Sequence, residues 1–470
     1  MREVPLVPRS TEALATSARP AHLARFREVL RTAARRLDGR TIWHVNSTSE
    51  GGGVAELLHQ VLGYLIDGEI RCRWVVVEGD QDFFRITKRI HNRLHGSAGD
   101  GGGLAEEASD TYLRVLRREV EALLALARSG DVVVLHDPQT AGMMRPLVEA
   151  GVRVEWVCHV GVDAPNDVTR SAWDFLRADV EAAHAIVFSR LAYAWDGLDP
   201  KKIAVIPPCI DPTSPKNVDI APADVTAILR AAGVLDGAPA GPVELTLDGA
   251  DAVRIERAAE TIEEEPAPID RPLVAEISRW DRLKDHVGVL QAFARYVPED
   301  LDTHLLLVGP SVTSVTDDPE GAVVLAENVA AWERLPLPQR RRIHLVSLPV
   351  EDRAENALVV NSIQRESDVI VQKSLAEGFG LTVAEAMWKR RPVVGSRIGG
   401  IQDQIVDGRS GVLVDPTDQA ASGEAISALI RDAGYAQAIG HAALERVRDR
   451  FLPPHFLSGH LDVIDRILDA

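Results

Sequence analysis

Two cations in the second half of the chain, Arg279 and Lys284, have the type and spacing needed to neutralise a diphosphate. They lie five residues apart in the segment EISRWDRLKDH, in a loop that follows a predicted strand and leads into a helix. Cations at the carboxyl edge of a parallel sheet suit phosphate oxygens. Taken alone, the pair is also compatible with two solvated surface cations, so the interpretation needs support from neighbouring motifs.

Two glutamates further along, Glu377 and Glu385, flank a glycine turn at the start of a predicted helix. The turn directs backbone N–H groups toward a ligand, and a helix N-terminus favours an anion. The carboxylates can accept hydrogen bonds from hydroxyl groups on either side of a bound phosphate. The structural alternative is that Glu377 caps the turn and Glu385 is an exposed helical residue. The candidate binding residues of the turn are Gly378, Phe379, Gly380, Leu381 and Thr382.

A glycine-rich loop in the first half, HVNSTSEGGGVAELLH, passes from a strand through Gly51, Gly52 and Gly53 into a helix that opens at Val54. Glycine at that place lets a ligand approach the backbone closely. The nicotinamide-binding fingerprint fails because Glu56 stands at its last position, and the G-K-[ST] of a P-loop is absent. By itself the loop is a weak signal, and a plain tight turn explains it as well.

The elements that must position these residues are short apolar strands that alternate with helices. Such strands, apolar on both faces, predict parallel sheets covered by helices on both sides. The pattern occurs twice, so we predict two α/β halves. The first half holds the predicted strands TIWHVN, CRWVVVEG, DVVVLHD, VRVEWVCHV and AIVFSR. The second half holds KIAVIPP, PLVAEISR, HLLLVGP, RIHLVSLP, SDVIVQ, RPVVGSR and SGVLVDP.

Prolines break the pattern between the halves, which predicts a first domain over residues 1–207 and a second over residues 208–452. Within the second, residues 233–271 are strongly acidic and predict a solvated surface insertion, in which PVELTLD favours a small hairpin. We interpret the run Arg340, Arg341 and Arg342 as a solvated helix end. Trp388 is interpreted as a core residue, and Lys373 receives no assignment.

The composition excludes several classes of function. With 52 Lys and Arg against 70 Asp and Glu, the net charge is −18, which argues against nucleic acid or an anionic membrane as the main partner. A local basic pocket can still hold a small anion. No apolar run is long enough for a transmembrane helix, and the N-terminal segment has no secretory h-region. Three scattered cysteines predict reduced thiols, hence a cytoplasmic protein.

Together these motifs resemble the retaining glycosyltransferases of GT-B fold in family four. The R-x4-K spacing of Arg279 and Lys284 and the E-x7-E spacing of Glu377 and Glu385 carry the resemblance. It is closer still to one subgroup, the trehalose glycosyltransferring synthases, through HVNSTSEGGGVAELLH, EGDQDFFRITKRIHNRLHG, HDPQ, SRWDRLKD and VQKSLAEGFGLTVAEAMWK. The resemblance implies an α/β protein with two Rossmann-like domains facing across a cleft, and a C-terminal helix, residues 453–470, that crosses back to the first domain.

The resemblance also implies a reaction, the transfer of glucose from a nucleoside diphosphate glucose to glucose with retention, which forms trehalose. It places Arg279, Lys284 and the helix after Gly380 on the leaving diphosphate. It places Glu385 on the ribose and Glu377 with His159 on the donor glucose. The remaining substrate-binding residues that it implies are Gly52, Gly53, His136, Gln139 and Asp163. No metal is required because the cations replace it, although Mg²⁺ can accompany the nucleotide.

Two departures from the subgroup concern the acceptor: CHVGVDAPN stands where D-T-S is expected, and Thr140 follows HDPQ where proline is expected. These loops add Asp137 and Asp163 and no cation, so we expect free glucose rather than glucose 6-phosphate. The alternatives are a polyol or cyclitol acceptor, a trehalose phosphorylase, a nucleotide-sugar epimerase and a non-catalytic sensor. The expected partners are the donor and a small sugar, with no nucleic acid and no membrane; a homodimer is compatible with the sequence.

Overall fold

Two sheets of seven strands each carry the fold, and a separate two-stranded sheet lies in the second half of the chain. The computed structural model describes residues 1–50, 52–238, 241–247, 252–312 and 319–469. The strands are β1 Arg2–Val4, β2 Ile42–Asn46, β3 Cys72–Val76, β4 Val132–His136, β5 Arg153–Cys158, β6 Ala185–Phe188, β7 Ile203–Val205, β8 Val243–Thr246, β9 Ala252–Ile255, β10 Glu260–Ile262, β11 Leu273–Ile277, β12 His304–Pro310, β13 Ile343–Leu348, β14 Val369–Gln372, β15 Val393–Ser396 and β16 Val412–Val414.

Helices connect most of these strands. They are α1 Pro20–Arg36, α2 Gly53–Asp67, α3 Gln81–Leu94, α4 Glu106–Leu124, α5 Met144–Glu149, α6 Asp167–Val180, α7 Pro222–Ala231, α8 His286–Tyr296, α9 Pro319–Glu333, α10 Leu337–Arg340, α11 Arg353–Glu366, α12 Leu381–Trp388, α13 Gly399–Gln404, α14 Gln419–Arg431, α15 Ala433–Arg450 and α16 Pro453–Leu468. Short 3₁₀ helices cover Thr11–Leu14, Ala141–Met143, Leu191–Tyr193, Arg282–Lys284 and Glu299–Leu301. Within the described chain, no helix is long and apolar enough to cross a membrane.

The first sheet has the order β1-β3-β2-β4-β5-β6-β7, with β1 antiparallel to β3 and the remaining pairs parallel. Strands β2, β4 and β6 are buried along their whole length, because helices cover both faces of the sheet. The assignment of KIAVIPP to the second half is wrong. This segment forms β7, which pairs with β6 and completes the first sheet.

The second sheet has the order β10-β13-β12-β11-β14-β15-β16, and five of its six pairs are parallel. The exception is β10, which comes from the acidic insertion and lies antiparallel to β13 at one edge. The predicted hairpin is confirmed, since β8 pairs with β9. The prediction of a wholly solvated insertion is wrong, because part of this segment belongs to the sheet.

Carboxylates hold the insertion in place. Glu263 lies 2.8 Å from His344, Glu264 lies 2.6 Å from Arg340, and Glu265 lies 3.4 Å from Arg341. Glu355 of α11 accepts the backbone N–H groups of two insertion residues at 2.6 and 2.7 Å. Glu263, Glu264 and Glu265 therefore each pair with a basic group of the same half, although Glu264 and Glu265 remain exposed.

The interpretation of the arginine run as a solvated helix end holds for Arg340, which ends α10, and for the exposed Arg341, and is wrong for Arg342. Arg340 and Arg341 are paired as described, and Arg342 is buried. The Arg342 guanidinium donates to the carbonyl oxygens of Thr303 at 3.2 Å and Val297 at 3.1 Å. Burial lowers the pKa of Arg342 from its usual value. The sequence pattern missed these contacts because the partners are distant in the chain.

The described chain divides into two compact units, residues 1–211 with 449–470, and residues 212–448. In the first unit, α16 packs against α1, so the C-terminal helix belongs to the N-terminal sheet. Leu23, Phe26 and Leu30 of α1 are buried as their spacing predicts. Ion pairs add to this contact, with Arg36 at 2.9 Å from Asp465.

Candidate active site

In the second unit, Lys284 and Glu377 form a half-buried ion pair with 2.5 Å between Nζ and Oε2. Lys284 ends the 3₁₀ helix that follows β11, and Glu377 lies in the loop that follows β14. These strands are parallel neighbours, so their carboxyl ends meet at one edge of the sheet. The structure thus brings together two residues from separate predicted motifs.

A second ion pair lies beside the first and was not predicted. Asp285 adopts a left-handed conformation with φ 58° and accepts the Gly288 N–H at 3.2 Å, so it caps α8. Its carboxylate pairs with Lys373, whose side chain is 1% exposed. A buried lysine needs such a partner because an unpaired charge there is costly. The signal in the sequence is a charged residue directly after the apolar strand SDVIVQ.

Arg279 is the most exposed of the predicted cations, with 58% of its side chain accessible. Its guanidinium lies 3.3 Å from Asp281. An exposed pair of this kind contributes little and can exchange for another anion. Arg279 follows β11 by two residues and therefore lies at the same edge as Lys284.

The glycine turn is supported by α13. Gly380 caps α12 with φ 82°, in the left-handed region that favours glycine. The Gly400 N–H donates to the Gly378 carbonyl at 3.1 Å, and a Cβ on Gly400 would lie 2.5 Å from Cα of Phe379. The Gln404 side chain donates to the Phe379 carbonyl at 2.5 Å. This support was not predicted from the sequence, although the paired glycines of GSRIGGIQDQ are a signal for it. Leu381 and Thr382 begin α12 as predicted.

Glu385 is buried, at 2% exposure, so the alternative of an exposed helical residue is wrong. Its Oε1 lies 3.5 Å from Lys216, and its Oε2 accepts a hydrogen bond from Gln364 at 3.4 Å. Both contacts are long and leave the carboxylate able to accept stronger hydrogen bonds. Trp388, on the same helix, is half-buried and donates to the Asn217 carbonyl at 3.0 Å.

Glu276 lies beneath these residues and is completely buried. Burial, reinforced by Asp285, raises the pKa of Glu276 well above its usual value, although Lys284 and Lys373 oppose the shift. The Ser278 hydroxyl donates a long hydrogen bond to the Glu276 carboxyl group, at 3.4 Å. The raised pKa favours the neutral form of Glu276 at this edge.

In the first unit, the backbone at the end of β4 is held in an unusual conformation. Asp137 has φ 62°, and its carboxylate accepts the His159 N–H at 2.8 Å. Burial raises the pKa of Asp137 to about 7, while the His159 N–H opposes the shift. The Thr140 hydroxyl donates to the His136 carbonyl at 2.9 Å. Thr140, a departure from the expected proline, thus fastens the turn that follows β4.

Three buried histidines, His44, His136 and His159, lie close together in the first unit. His44 Nδ1 lies 3.0 Å from His136 Nε2, and the His136 and His159 rings are parallel with centroids 5.9 Å apart. Burial lowers the pKa of His44 and of His159 to about 3, and that of His136 well below 6.5. All three imidazoles are therefore neutral at pH 7. His159 Nε2 and Gln139 Oε1 are buried atoms without a hydrogen-bond partner in the described chain. Their roles as sugar ligands stay predictions.

The loops HDPQ and CHVGVDAPN contain no cation themselves, but a cation from another loop lies beside the second. Arg190, which follows β6, pairs with Asp163 at 2.5 Å. Gly161 lies under Tyr193, since a Cβ at that glycine would lie 2.3 Å from the tyrosine Cγ. The departure GVD thus has a packing reason, and it places an ion pair beside His159 in the chain. Sequence spacing could not show this pairing.

The glycine loop of the first unit leads into α2, which begins at Gly53, one residue before the predicted start. Gly52 caps the helix with φ 84°, which favours glycine. Both glycines are exposed. Gly51 lies outside the described residues. Across those residues, no group of three or more His, Cys, Asp or Glu side chains is arranged to hold a metal ion.

Comparison with known proteins assigns the family. Residues 44–195 match the family described as "Trehalose synthase, N-terminal domain", and residues 354–446 match "Glycosyl transferases group 1". The trehalose synthase of Pyrococcus horikoshii is 34% identical over 437 residues, which cover 92% of each chain. The trehalose phosphorylase of Pleurotus sajor-caju is 25% identical over 80% of this chain and 51% of its own.

Solved structures show the fold. A UDP-forming α,α-trehalose-phosphate synthase from Burkholderia xenovorans, in complex with glucose-6-phosphate, has a TM-score of 0.65 at 16% identity and covers 92% of this chain and 100% of its own. An Anabaena protein in complex with UDP and glucose has a TM-score of 0.60 at 14% identity, with the same coverage. The sequence relatives carry the assignment further than the fold does: the chain belongs to the trehalose synthase family of GT-B glycosyltransferases.

Proposed function

We propose that the protein transfers glucose from a nucleoside diphosphate glucose to free glucose, with retention at the anomeric carbon, and so forms α,α-1,1-linked trehalose. The observation that carries the proposal is the Lys284–Glu377 pair beside the glycine turn. In this pair, a cation lies at hydrogen-bond distance from a carboxylate that can bind sugar hydroxyl groups. A sugar attached to a diphosphate requires this combination.

The positive groups of the second unit suit the leaving diphosphate. Lys284 and the exposed guanidinium of Arg279 provide two charges at one sheet edge, and α12 contributes the N–H groups of its first turn. Fixed charges of this kind usually supply the largest part of catalysis, because they stabilise charge that develops in the transition state. The raised pKa of Glu276 favours its neutral form, which opposes these charges less than a carboxylate would.

The reaction needs no carboxylate nucleophile. The acceptor hydroxyl oxygen forms a bond to the anomeric carbon as the bond between that carbon and the diphosphate oxygen breaks. The hydroxyl proton passes to a phosphate oxygen of the leaving group on the same face. Glu377 and His159 bind the glucose of the donor, and Glu385 binds the ribose. Mg²⁺ can accompany the nucleotide without ligands from the protein.

The first unit supplies neutral groups for sugar hydroxyls. Neutral imidazoles both donate and accept hydrogen bonds, which suits a polyol. Arg190 is a feature of this unit that favours a phosphorylated acceptor. Because Asp163 neutralises its charge at 2.5 Å, free glucose remains the proposed acceptor.

The test mixes UDP-glucose with glucose and, separately, with glucose 6-phosphate, and identifies the linkage by NMR. We expect trehalose from free glucose. Faster formation of a phosphorylated product would overturn the acceptor, and another disaccharide or cyclitol glycoside would replace it. A change in the donor sugar without any acceptor would identify an epimerase. Tight donor binding without turnover would identify a sensor.

Trehalose phosphorolysis is a second candidate, favoured by the 25% identity to a phosphorylase over most of this chain. The chain spans about half the length of that relative. Incubation of trehalose with inorganic phosphate distinguishes the two reactions, since a phosphorylase releases glucose 1-phosphate. We expect release of glucose 1-phosphate to be negligible, because the proposed leaving group is a nucleoside diphosphate.

A further inference from the structure

A small internal cavity of the first unit, about 20 Å³ in volume, lies among β2, β4, α2 and α16. Its wall is apolar except for three imidazoles, those of His44, His136 and His460. A cavity with this wall would be expected to stay dry if the histidine nitrogens were all partnered. They are not.

Each of the three imidazoles has one ring nitrogen that is buried and has no hydrogen-bond partner in the described chain: His44 Nε2, His136 Nδ1 and His460 Nε2. All three side chains are more than nine-tenths buried. Buried polar atoms are nearly always satisfied by protein or by ordered water. A volume of about 20 Å³ exceeds the ~10–15 Å³ that one water requires.

We propose that this cavity binds one water molecule, which bridges His460 to the His44–His136 pair. The water can donate two hydrogen bonds and accept two, so it fits either tautomer of each ring. It would satisfy at least two of the three nitrogens at once.

One end of the resulting chain is anchored by a buried carboxylate. His460 Nδ1 lies 2.5 Å from Oε1 of Glu155, a residue of β5 that is completely buried. The contact fixes the ring of His460, which also lines the cavity.

The other end reaches the predicted sugar site. His44 Nδ1 lies 3.0 Å from His136 Nε2, so one proton is shared between two neutral rings. His136 stacks parallel on His159. Glu155, His460 and the water are therefore positioning groups, which fix the tautomer and orientation of His136 and, through it, of His159. This second step depends on the proposed function, whereas the water site does not.

The water itself is tested by a high-resolution crystal structure of the whole chain. We expect one density peak at about 2.7–3.2 Å from both His44 Nε2 and His460 Nε2. In His460→Phe the peak should be lost, since the cavity then lacks one partner. A dry cavity in the wild type, or a peak unchanged in His460→Phe, would overturn the water site.

The positioning role is tested by kinetics against a matched control. His460→Phe should lower kcat/KM for the acceptor sugar about tenfold, the usual effect of one lost hydrogen bond, and leave the Kd of UDP unchanged. His460→Gln, whose amide reaches the Nε2 position, should recover most of that loss. Leu457→Ala also enlarges the cavity but keeps all three imidazoles, so its kcat/KM should stay within about twofold.

Equal effects of His460→Phe and Leu457→Ala would overturn the positioning role, because packing alone would then explain both. Failure of His460→Gln to recover activity would do the same, with Glu155→Gln as a second variant that breaks the chain without a change of volume. If the wild type transfers no sugar at all, the proposed function fails, and the crystallographic result alone decides the water site.

Discussion

The two units place different chemistry at the carboxyl edges of similar sheets. In the second unit the edge is ionic, with Lys284 paired to Glu377 and Lys373 paired to Asp285. In the first unit it is built from neutral imidazoles, and the one ion pair among the predicted residues, Asp163 with Arg190, lies in the loops beyond them. One fold thus supports two kinds of site.

The two edges differ because their buried ionisable side chains have different partners. Imidazoles that are buried without a carboxylate partner lose their charge, as the lowered pKa values of His44 and His159 show. An ionic edge suits an anionic leaving group, and a neutral, hydrogen-bonding edge suits a polyol. Substitutions at each edge can test whether the ionic edge binds the diphosphate and the neutral edge binds the sugar.

Loss of the ionic edge should have the largest effect. We expect Lys284→Ala to lower kcat about a thousandfold and Arg279→Ala about a hundredfold, because each removes a charge that stabilises the leaving group. The ranking follows from exposure, since Lys284 is half-buried and Arg279 is open to solvent screening. Steady-state rates with UDP-glucose measure both effects.

Arg282 is the matched control, because it lies in the same 3₁₀ helix and its guanidinium pairs with Glu327 at 2.6 Å on the exposed surface. Arg282→Ala should leave kcat within about twofold. Near-normal turnover in both active-site variants would refute the diphosphate assignment. Loss of turnover in all three would point to local unfolding instead.

Loss of the neutral edge should affect sugar recognition and leave nucleotide binding intact. His159→Ala should lower kcat/KM about tenfold to a hundredfold, the range for a hydrogen-bonding group at the reacting sugar, with an unchanged Kd for UDP. His22→Ala, on α1, is the control. If His159→Ala weakened UDP binding as strongly as it weakened catalysis, the division between the two edges would not hold.

Glu385 tests whether the ionic unit also binds the neutral part of the nucleotide. Glu385→Gln should raise the Kd of UDP and the KM of the donor together, about tenfold, with kcat nearly unchanged, since the contact is the same in ground and transition states. Calorimetry measures the first and kinetics the second. Unchanged UDP affinity would mean that Glu385 only holds Lys216 and Gln364. Glu424→Gln, on the exposed side of α14, serves as control.

Much of this arrangement could be predicted from the sequence, because apolar strands and glycine turns are local patterns. Most strands of both sheets and the helix that follows Gly380 are predicted this way, whereas β1 and β10, at the sheet edges, are not. The motifs that contain Lys284 and Glu377 also predicted that both residues lie at one edge of the second sheet. Contacts between distant charged residues could not be found, since charge composition does not say which groups meet. Lys373 with Asp285, Arg190 with Asp163, and the paired insertion belong to this class.

The neutral edge should make the first unit sensitive to acid. The pKa of His44 and of His159 is about 3 in the folded protein, against 6.5 ordinarily. Between those values the unfolded chain binds protons that the folded protein does not, so the free energy of unfolding falls as the pH drops from 6.5 toward 3. Each group contributes about 1.4 kcal/mol per pH unit.

The raised pKa of Asp137, about 7, works in the opposite sense, since its contribution destabilises the fold as the pH rises from about 4 to 7. His286 of the second unit shifts in the same direction as His44. A single variant therefore isolates the first unit: His44→Leu should flatten the dependence of the unfolding midpoint on pH below 6.5. An identical slope in wild type and variant would show that His44 titrates normally.

We expect the smallest effects of substitution at the opposite edge of the second sheet, where the amino ends of the strands lie. Ion pairs there should contribute to stability and not to catalysis. Glu263 pairs with the fully buried His344, whereas Glu265 pairs with the exposed Arg341. We expect Glu263→Gln to lower the free energy of unfolding by about 1 kcal/mol and Glu265→Gln by a few tenths, with catalysis unchanged, because buried pairs are screened less. Urea denaturation measures both, and Glu244→Gln, in an exposed pair of the hairpin, is the control. If all three variants were equally stable, the acidic run would behave as a solvated surface after all. A loss of turnover in Glu263→Gln would mean that charge at this edge affects catalysis at the ionic site. The separation of the two edges would then be wrong.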